Sequence, residues 1–311
     1  MQNSVIRIEN LGKIYKRSLK EEFNALKNLT MEVERGEVFG FLGPNGAGKT
    51  TTIKVLVNLI YPSSGHAWIL NKSCLDPGSR KHIGYLPEMI SLYDFLTLEE
   101  VLDFAGHFYG MSSTTIKAKT KELASILDLE RAKKMQLRKY SKGMLQRAGL
   151  AYALMGDPDV LILDEPMSGL DPIGRKDFVD LIKLLRNQGK TIFFSSHVLS
   201  DIESLCDRVG ILVQGELKKV GKVSDMLHES SDGFIVRVPE GNQSTISQFE
   251  EIGALVRFDG DVLNINIPKN KLEDTMKMIK SLNVSIISID TARKTLEDIF
   301  LEVVKKKDTY N

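Results

Sequence analysis

The sequence predicts an α/β fold with a largely parallel sheet, followed by a smaller α+β domain, and three observations carry that reading. A glycine-rich loop at residues 43–51 lies between a strand-like apolar run and a helical pattern. Two more continuous apolar runs, Val160-Leu161-Ile162-Leu163 and Thr191-Ile192-Phe193-Phe194, have strand length and suit strands covered on both faces. From residue 233 onward the pattern changes to short alternating strands separated by helical stripes.

Residues from Val5 to about Val220 alternate between strand and helix patterns, as a layered α/β domain requires. Val38-Phe39-Gly40-Phe41-Leu42 reads as a buried strand, and Thr52-Ile53-Lys54-Val55-Leu56 as the start of a helix. Between them Gly43, Pro44, Asn45, Gly46, Ala47, Gly48, Lys49, Thr50 and Thr51 fit the phosphate-binding pattern G-x-x-x-x-G-K-[ST]. Glycines let successive N–H groups face inward around an anion, and the helix N-terminus adds partial positive charge. Lys49 can then reach the β- and γ-phosphates of a nucleotide, and the Thr50 hydroxyl can ligate Mg²⁺. A more helical insert runs from about 98 to 157. Thr97-Leu98-Glu99-Glu100 opens it with a capping box, and Leu98, Val101, Leu102 and Ala105 share one helical face, a stripe read as packing.

Asp164 and Glu165 end the run that begins at Val160. In an open α/β sheet ligands bind beyond the carboxyl ends of the strands, so this strand delivers two carboxylates beside the phosphate loop. Asp164 is placed to hold Mg²⁺, and Glu165 to accept a proton from an attacking water as general base. His197 follows Ser195-Ser196 at another strand's carboxyl end, where an imidazole can hydrogen-bond the γ-phosphate or the water. His66, His82, His107 and His228 lack such a context and read as surface or core side chains.

A polar stretch at 229–233 reads as a linker, which divides the chain into domains at 1–228 and 233–311. In the second, Gly233 to Val238 alternate like a strand and Thr245 to Glu251 look helical. Leu255 to Phe258 and Val262 to Ile267 flank a hairpin turn at Asp259-Gly260. Leu272, Met276 and Ile279 form a helical stripe, Val284 to Ile289 a strand, and Leu296, Ile299, Phe300 and Val303 a closing helix. The order β-α-β-β-α-β is that of a ferredoxin-like domain. No catalytic cluster is legible there.

Bulk properties narrow the functional classes. The 311 residues carry a formal net charge of +1, which gives no electrostatic footprint for nucleic acid. Two cysteines, Cys74 and Cys206, lie far apart, as suits a reducing cytosol rather than a disulfide framework. The N-terminus has no apolar signal core and no apolar stretch spans a bilayer, so work at a membrane requires another chain to supply the span.

Tyr140-Ser141-Lys142-Gly143-Met144-Leu145-Gln146-Arg147 makes the reading specific. It resembles the signature of the nucleotide-binding subunits of ABC transporters, Leu-Ser-Gly-Gly-Gln followed shortly by Gln-Arg. Ser141, Gly143, Gln146 and Arg147 match, while Tyr140, Lys142 and Met144 depart. The resemblance extends from about Ile6 to Gly221 in the family's motif order. It implies a phosphate-loop NTPase fold with a helical subdomain, hydrolysing ATP with Mg²⁺. It also implies that Tyr15 stacks on adenine, and that Ser141 and Gly143 face nucleotide bound to a partner subunit. Ser168-Gly169-Leu170-Asp171 matches the loop that touches that partner. Gly84-Tyr85-Leu86-Pro87-Glu88 matches a loop that normally ends in a glutamine, so Glu88 stands where a contact to Mg²⁺ and water is expected. The tail, Thr295-Leu296-Glu297-Asp298-Ile299-Phe300-Leu301, resembles the end of ATP-binding proteins of ABC-2-type exporters, including drug- and antibiotic-resistance systems.

The implied protein is a peripheral ATPase at the cytoplasmic face of the cell membrane. It would act as a homodimer or heterodimer with a separate integral-membrane permease, without nucleic acid. Two alternatives stay open at this point. One is a soluble ABC-type ATPase of DNA maintenance or translation, which would ordinarily carry zinc modules, long coiled coils or a second cassette. The other is a regulator that binds nucleotide without turnover, against which Glu165 argues.

Overall fold

The computed structural model describes residues 4–16, 22–228, 233–239, 249, 254–259, 262–282, 284–292 and 295–305. The chain divides into two compact units, 1–223 and 224–311, so the division falls ahead of the 228 expected from sequence.

The first unit opens with two long strands, β1 (Ser4–Lys16) and β2 (Glu22–Glu34), and then β3 (Val38–Leu42). Helix α1 (Lys49–Leu56) follows, then β4 (Ser64–Ile69), β5 (Lys72–Ser73) and β6 (Ile83–Leu86). The helical insert contributes α2 (Leu98–Phe108), α3 (Ser113–Ile126) and α4 (Lys142–Leu154). Strand β7 (Val160–Leu163), α5 (Pro172–Asn187), β8 (Thr191–Ser196), α6 (Leu199–Leu205), β9 (Arg208–Val213) and β10 (Glu216–Lys222) complete it, with α7 (Val223–His228) at the division.

A six-stranded sheet ordered β10-β9-β3-β8-β7-β6 is the frame of the site. Its pairs from β9 to β6 are all parallel, and β10 joins β9 antiparallel at the edge. Every residue of β3 and of β7 is buried, which explains why both read as unbroken apolar runs. Parallel register has a direct consequence. The chain leaves β3, β6, β7 and β8 at one common edge, so the phosphate loop, Glu88, Asp164-Glu165 and His197 all emerge there.

A second sheet, ordered β2-β1-β4-β5 and antiparallel throughout, departs from the alternating strand and helix order that the sequence predicts. It shares one apolar cluster with the frame. Ile6, Ile8 and Leu29 of this sheet pack with Phe39, Phe41 and Phe193 of the parallel sheet and with Ile53 and Leu56 of α1. Phe39 and Phe193 stack at 5.9 Å between ring centroids. In the insert, Thr97 and Glu100 form the expected reciprocal cap on α2, and Leu98, Val101, Leu102 and Ala105 are buried.

The second unit comprises β11 (Gly233–Pro239), β12 (Leu255–Asp259), β13 (Val262–Pro268), α8 (Leu272–Ser281), β14 (Ser288–Ala292) and α9 (Leu296–Lys305). Its sheet is ordered β12-β13-β11-β14 with every pair antiparallel, the strand order of a ferredoxin-like domain. Val236, Val238, Leu263, Ile265, Ile267, Phe249 and Ile279 form its core. One strand differs from expectation. The ladder to β11 begins at Ser288, not Val284; Arg237 hydrogen-bonds Ser288 and Asp290 within it, and Ile286 and Ile287 ahead of it are exposed rather than packed in the core. The helix expected at 245–251 and the Gly260 of the hairpin turn lie outside the described residues, except for the buried Phe249. Among the described residues no helix is long and apolar enough to cross a membrane.

Candidate nucleotide site

The chain leaves β3 at Gly43, where a Cβ would lie 2.5 Å from the Leu212 carbonyl oxygen. Gly46 and Gly48 take φ of 78° and 109°, backbone that a side chain strongly disfavours. A Cβ on Gly48 would also meet the Ala25 carbonyl oxygen at 2.6 Å. Gly48 is the N-cap of α1 and supplies no side-chain cap. The first N–H groups of the helix are therefore left to bind an anion rather than a protein side chain.

Lys49 is buried at 5 % exposure. Its ammonium donates to the Gly43 oxygen at 2.7 Å and the Pro44 oxygen at 3.3 Å, and pairs with Glu165 Oε1 at 3.2 Å. His197 Nδ1 lies 2.9 Å from Glu165 Oε2, so the two oxygens of this carboxylate face a lysine and a histidine. The Thr50 hydroxyl donates to Asp164 Oδ1 at 3.2 Å. Ser195 Oγ donates to the same oxygen at 2.6 Å and accepts the Glu165 N–H at 3.0 Å. Glu165 itself has φ of 46°, a left-handed backbone at a non-glycine residue. Burial pushes the Asp164 carboxyl above its ordinary range, against the hydrogen bonds from Ser195 and Thr50. Burial, and then the Asp164 charge, hold the Tyr85 phenol up at about 12, so it stays neutral.

A cavity of about 450 Å³ opens onto these groups. Asn45 to Thr51 form one wall, with Glu88, Glu165, Ser168 and His197 around it and Phe23 and Ala25 at one side. Thr50 and Asp164 offer hard oxygen donors, the type Mg²⁺ takes while keeping waters and substrate phosphates in its other positions. Among the described residues no group of three or more His, Cys, Asp or Glu is placed to hold a metal ion.

Two sequence expectations stand apart from this cavity. Tyr15 does not line it. The aromatic side chain that does is Phe23, the cross-strand neighbour of Tyr15 in the β1–β2 ladder, while the Tyr15 ring carries Lys13 Nζ at 5.2 Å. Ser141 and Gly143 border a different depression, with Lys142, Leu170 and Asp171. There Ser141 caps α4 by accepting the Met144 N–H at 3.2 Å, and Asp171 caps α5 by accepting the Gly174 N–H at 2.7 Å. Within one chain, then, the signature and the phosphate loop do not meet. The remaining histidines have ordinary surroundings: His82 pairs with Asp159, His107 with Asp103, and His66 tilts against Trp68, while the His228 side chain lies outside the described residues. Phe23, which lines the cavity, and Ser195, which bonds Asp164, belong to no motif legible in the sequence. Ser195 left one signal, a small polar residue continuing the apolar run of a buried strand.

Fold and site together define a phosphate-loop nucleotide-binding protein. Residues 26–168 match the ABC transporter family. An uncharacterized ABC transporter ATP-binding protein of Synechocystis is 39 % identical, over 99 % of this chain and 86 % of that protein. The linearmycin resistance ATP-binding protein of Bacillus subtilis is 29 % identical, over 96 % and 98 %. A dimeric ATP-binding cassette solved in a post-hydrolysis state with ADP and phosphate superposes with a TM-score of 0.64 at 28 % identity, over 70 % of this chain and 98 % of that one. The chain belongs to the ABC transporter family, as an ATP-binding, ATP-hydrolysing subunit.

Proposed function

We propose that this chain powers an ABC-2-type exporter by closing, with ATP, against a second copy of itself or a homologous subunit. The observation that carries the reading is the joined constellation of Lys49, Thr50, Asp164, Glu165 and His197 at one sheet edge. The phosphate loop would hold the β- and γ-phosphates through its N–H groups and Lys49. Mg²⁺, held by Thr50 and Asp164 with Glu88 facing it, would neutralise charge on the phosphates. The arriving phosphate would draw Lys49 from Glu165, whose freed oxygen takes the proton of the attacking water while His197 keeps the other oxygen in place. Positioning and charge stabilisation supply most of the acceleration of such a phosphoryl transfer. Ser141 and Gly143 of the second subunit would complete each site, which explains their separation from the phosphate loop within one chain.

The membrane span would come from a separate integral-membrane permease, with this chain bound peripherally at the cytoplasmic face of the cell membrane. The exporter assignment is supported by the tail pattern at 295–301 and by similarity along nearly the whole chain to a linearmycin resistance ATP-binding protein. Two measurements test the proposal. Glu165→Gln should bind MgATP, lose hydrolysis by about 10²–10⁴-fold and run as a dimer in size-exclusion chromatography with ATP. Purification of the tagged chain from membranes should bring down an integral-membrane protein that stimulates the ATPase. Normal turnover by Glu165→Gln would remove Glu165 from the mechanism, and recovery with ribosomes or DNA instead of a membrane protein would overturn the transporter reading.

A further inference from the structure

Ser195 is fully buried near the end of β8, in a strand whose preceding three residues are Ile192, Phe193 and Phe194. An unpaired hydroxyl in such a place is costly, and this one is used twice. It donates to Asp164 Oδ1 at 2.6 Å and accepts the Glu165 N–H at 3.0 Å. The parallel register explains the reach: Leu163 pairs with Phe194, so the next step along both strands sets Asp164 beside Ser195. One side chain therefore ties the metal-side carboxylate to the backbone of the residue that carries the base. That backbone is held at φ of 46°, and the Ser195 hydroxyl and the Ser168 N–H, which donates to the Glu165 oxygen at 3.0 Å, bracket it on both sides.

We propose that Ser195 is a positioning residue for ATP hydrolysis. Its hydroxyl fixes the orientation of Asp164 toward the metal and holds the left-handed turn that aims Glu165 at the attacking water. This rests on the roles proposed above for Asp164 and Glu165. Thr50 also donates to Asp164 Oδ1, but it lines the cavity, where its hydroxyl would instead hold Mg²⁺ in the role proposed above. Ser195 then remains the donor that orients Asp164 from the protein side throughout the cycle. The preorganisation belongs to the fold, because β8 supplies the hydroxyl whether or not nucleotide is present.

Ser195→Ala should lower kcat about tenfold and raise the Mg²⁺ concentration for half-maximal rate severalfold, the scale of one hydrogen bond to a charged group. ATP affinity read by calorimetry should stay within about twofold at saturating Mg²⁺, since the phosphate loop is untouched, while the Mg²⁺ needed for half-maximal ATP binding should rise severalfold. A merely structural role would move thermal stability without this split. Ser195→Thr and Ser195→Val separate the hydroxyl from packing, because the two side chains are close in shape and valine carries a methyl where threonine keeps the hydroxyl. The threonine variant should keep a Mg²⁺ response close to wild type and the valine variant should behave like alanine. Equal impairment of threonine and valine, or a wild-type Mg²⁺ titration for alanine, would overturn the inference. Glu165→Gln assayed alongside distinguishes the two levels. If it is inactive while Ser195→Ala is normal, only the role of Ser195 fails. If Glu165→Gln is active, the reading of the site fails with it.

Discussion

The two units solve the problem of a core in opposite ways. In the second, the core is almost wholly apolar, and the one polar side chain buried among the described residues is Thr275, bonded back to the Lys271 carbonyl of its own turn. In the first, Lys49, Asp164, Glu165, Ser195 and Asp201 are all buried near the loop and the strand ends. Such groups are expensive to bury and are tolerated when each finds a partner. Here they do: Lys49 faces Glu165, Asp164 faces Thr50 and Ser195, and Asp201 faces Arg175 at 2.7 Å. Chemistry is housed where such compensation is possible. The first unit buries a mutually compensated set of charged and polar groups beside the cavity, whereas the described residues of the second unit bury no such set.

Removing the cation should break this contrast most severely. Lys49→Ala leaves Glu165 without its lysine partner and would, in the role proposed above, delete one donor to the β- and γ-phosphates. Hydrogen bonds to charged groups are each worth roughly 1.5–3 kcal/mol, so ATP affinity should fall by about 10²-fold or more in calorimetry. Near-unchanged affinity would mean that the loop does not hold phosphate through this side chain.

Removing the second unit should sharpen the contrast. Every residue lining the cavity described above lies before residue 224, where the units divide. A chain ending after residue 231 should melt cooperatively and bind ATP within about twofold of the full chain, the scatter for sites that do not couple. Loss should appear in dimer stability or in assembly with the membrane partner. An unfolded product by circular dichroism and thermal melting would show that the first unit depends on the second for its fold.

What could be read without coordinates was local. The phosphate loop, the carboxylates after β7 and the histidine after β8 are strings of neighbouring residues whose meaning comes from the strand before them. The capping box on α2 is legible for the same reason. What was hidden depends on pairing across long stretches of chain. Sheet β2-β1-β4-β5 joins Ile6 to Ile69, and its strands shift register at several points, so no simple alternation marks it. Phe23 lines the cavity while Tyr15, its cross-strand partner, does not, a difference that neither residue's sequence context shows. Ser195 reads as a strand-end serine until β7 and β8 are placed side by side. In the second unit Val284, Ile286 and Ile287 imitate the start of a strand, yet pairing with β11 begins only at Ser288, which a local apolar pattern cannot reveal.

Glu88 should give the smallest effect, and for a reason the same comparison supplies. Unlike the buried charges, it is exposed, although it borders the cavity together with Thr50 and Glu165. A glutamine here would donate and accept hydrogen bonds without charge, whereas an ionised glutamate only accepts. The carboxylate can still offer an oxygen to Mg²⁺, but it brings another negative charge toward the phosphates, Asp164 and Glu165. Water screens an exposed charge, and a pair near 4 Å in water interacts by only about 1 kcal/mol, which bounds the change at about fivefold. We therefore expect Glu88→Gln to keep its hydrolysis rate and to bind MgATP as well as wild type or slightly better. Glu88→Ala, which removes the oxygen altogether, should need more Mg²⁺ for half-maximal rate. Titrating Mg²⁺ against ATPase rate for the three proteins reads both effects. Three superimposable curves would show that Glu88 points away from the metal and serves only to shape the loop after β6.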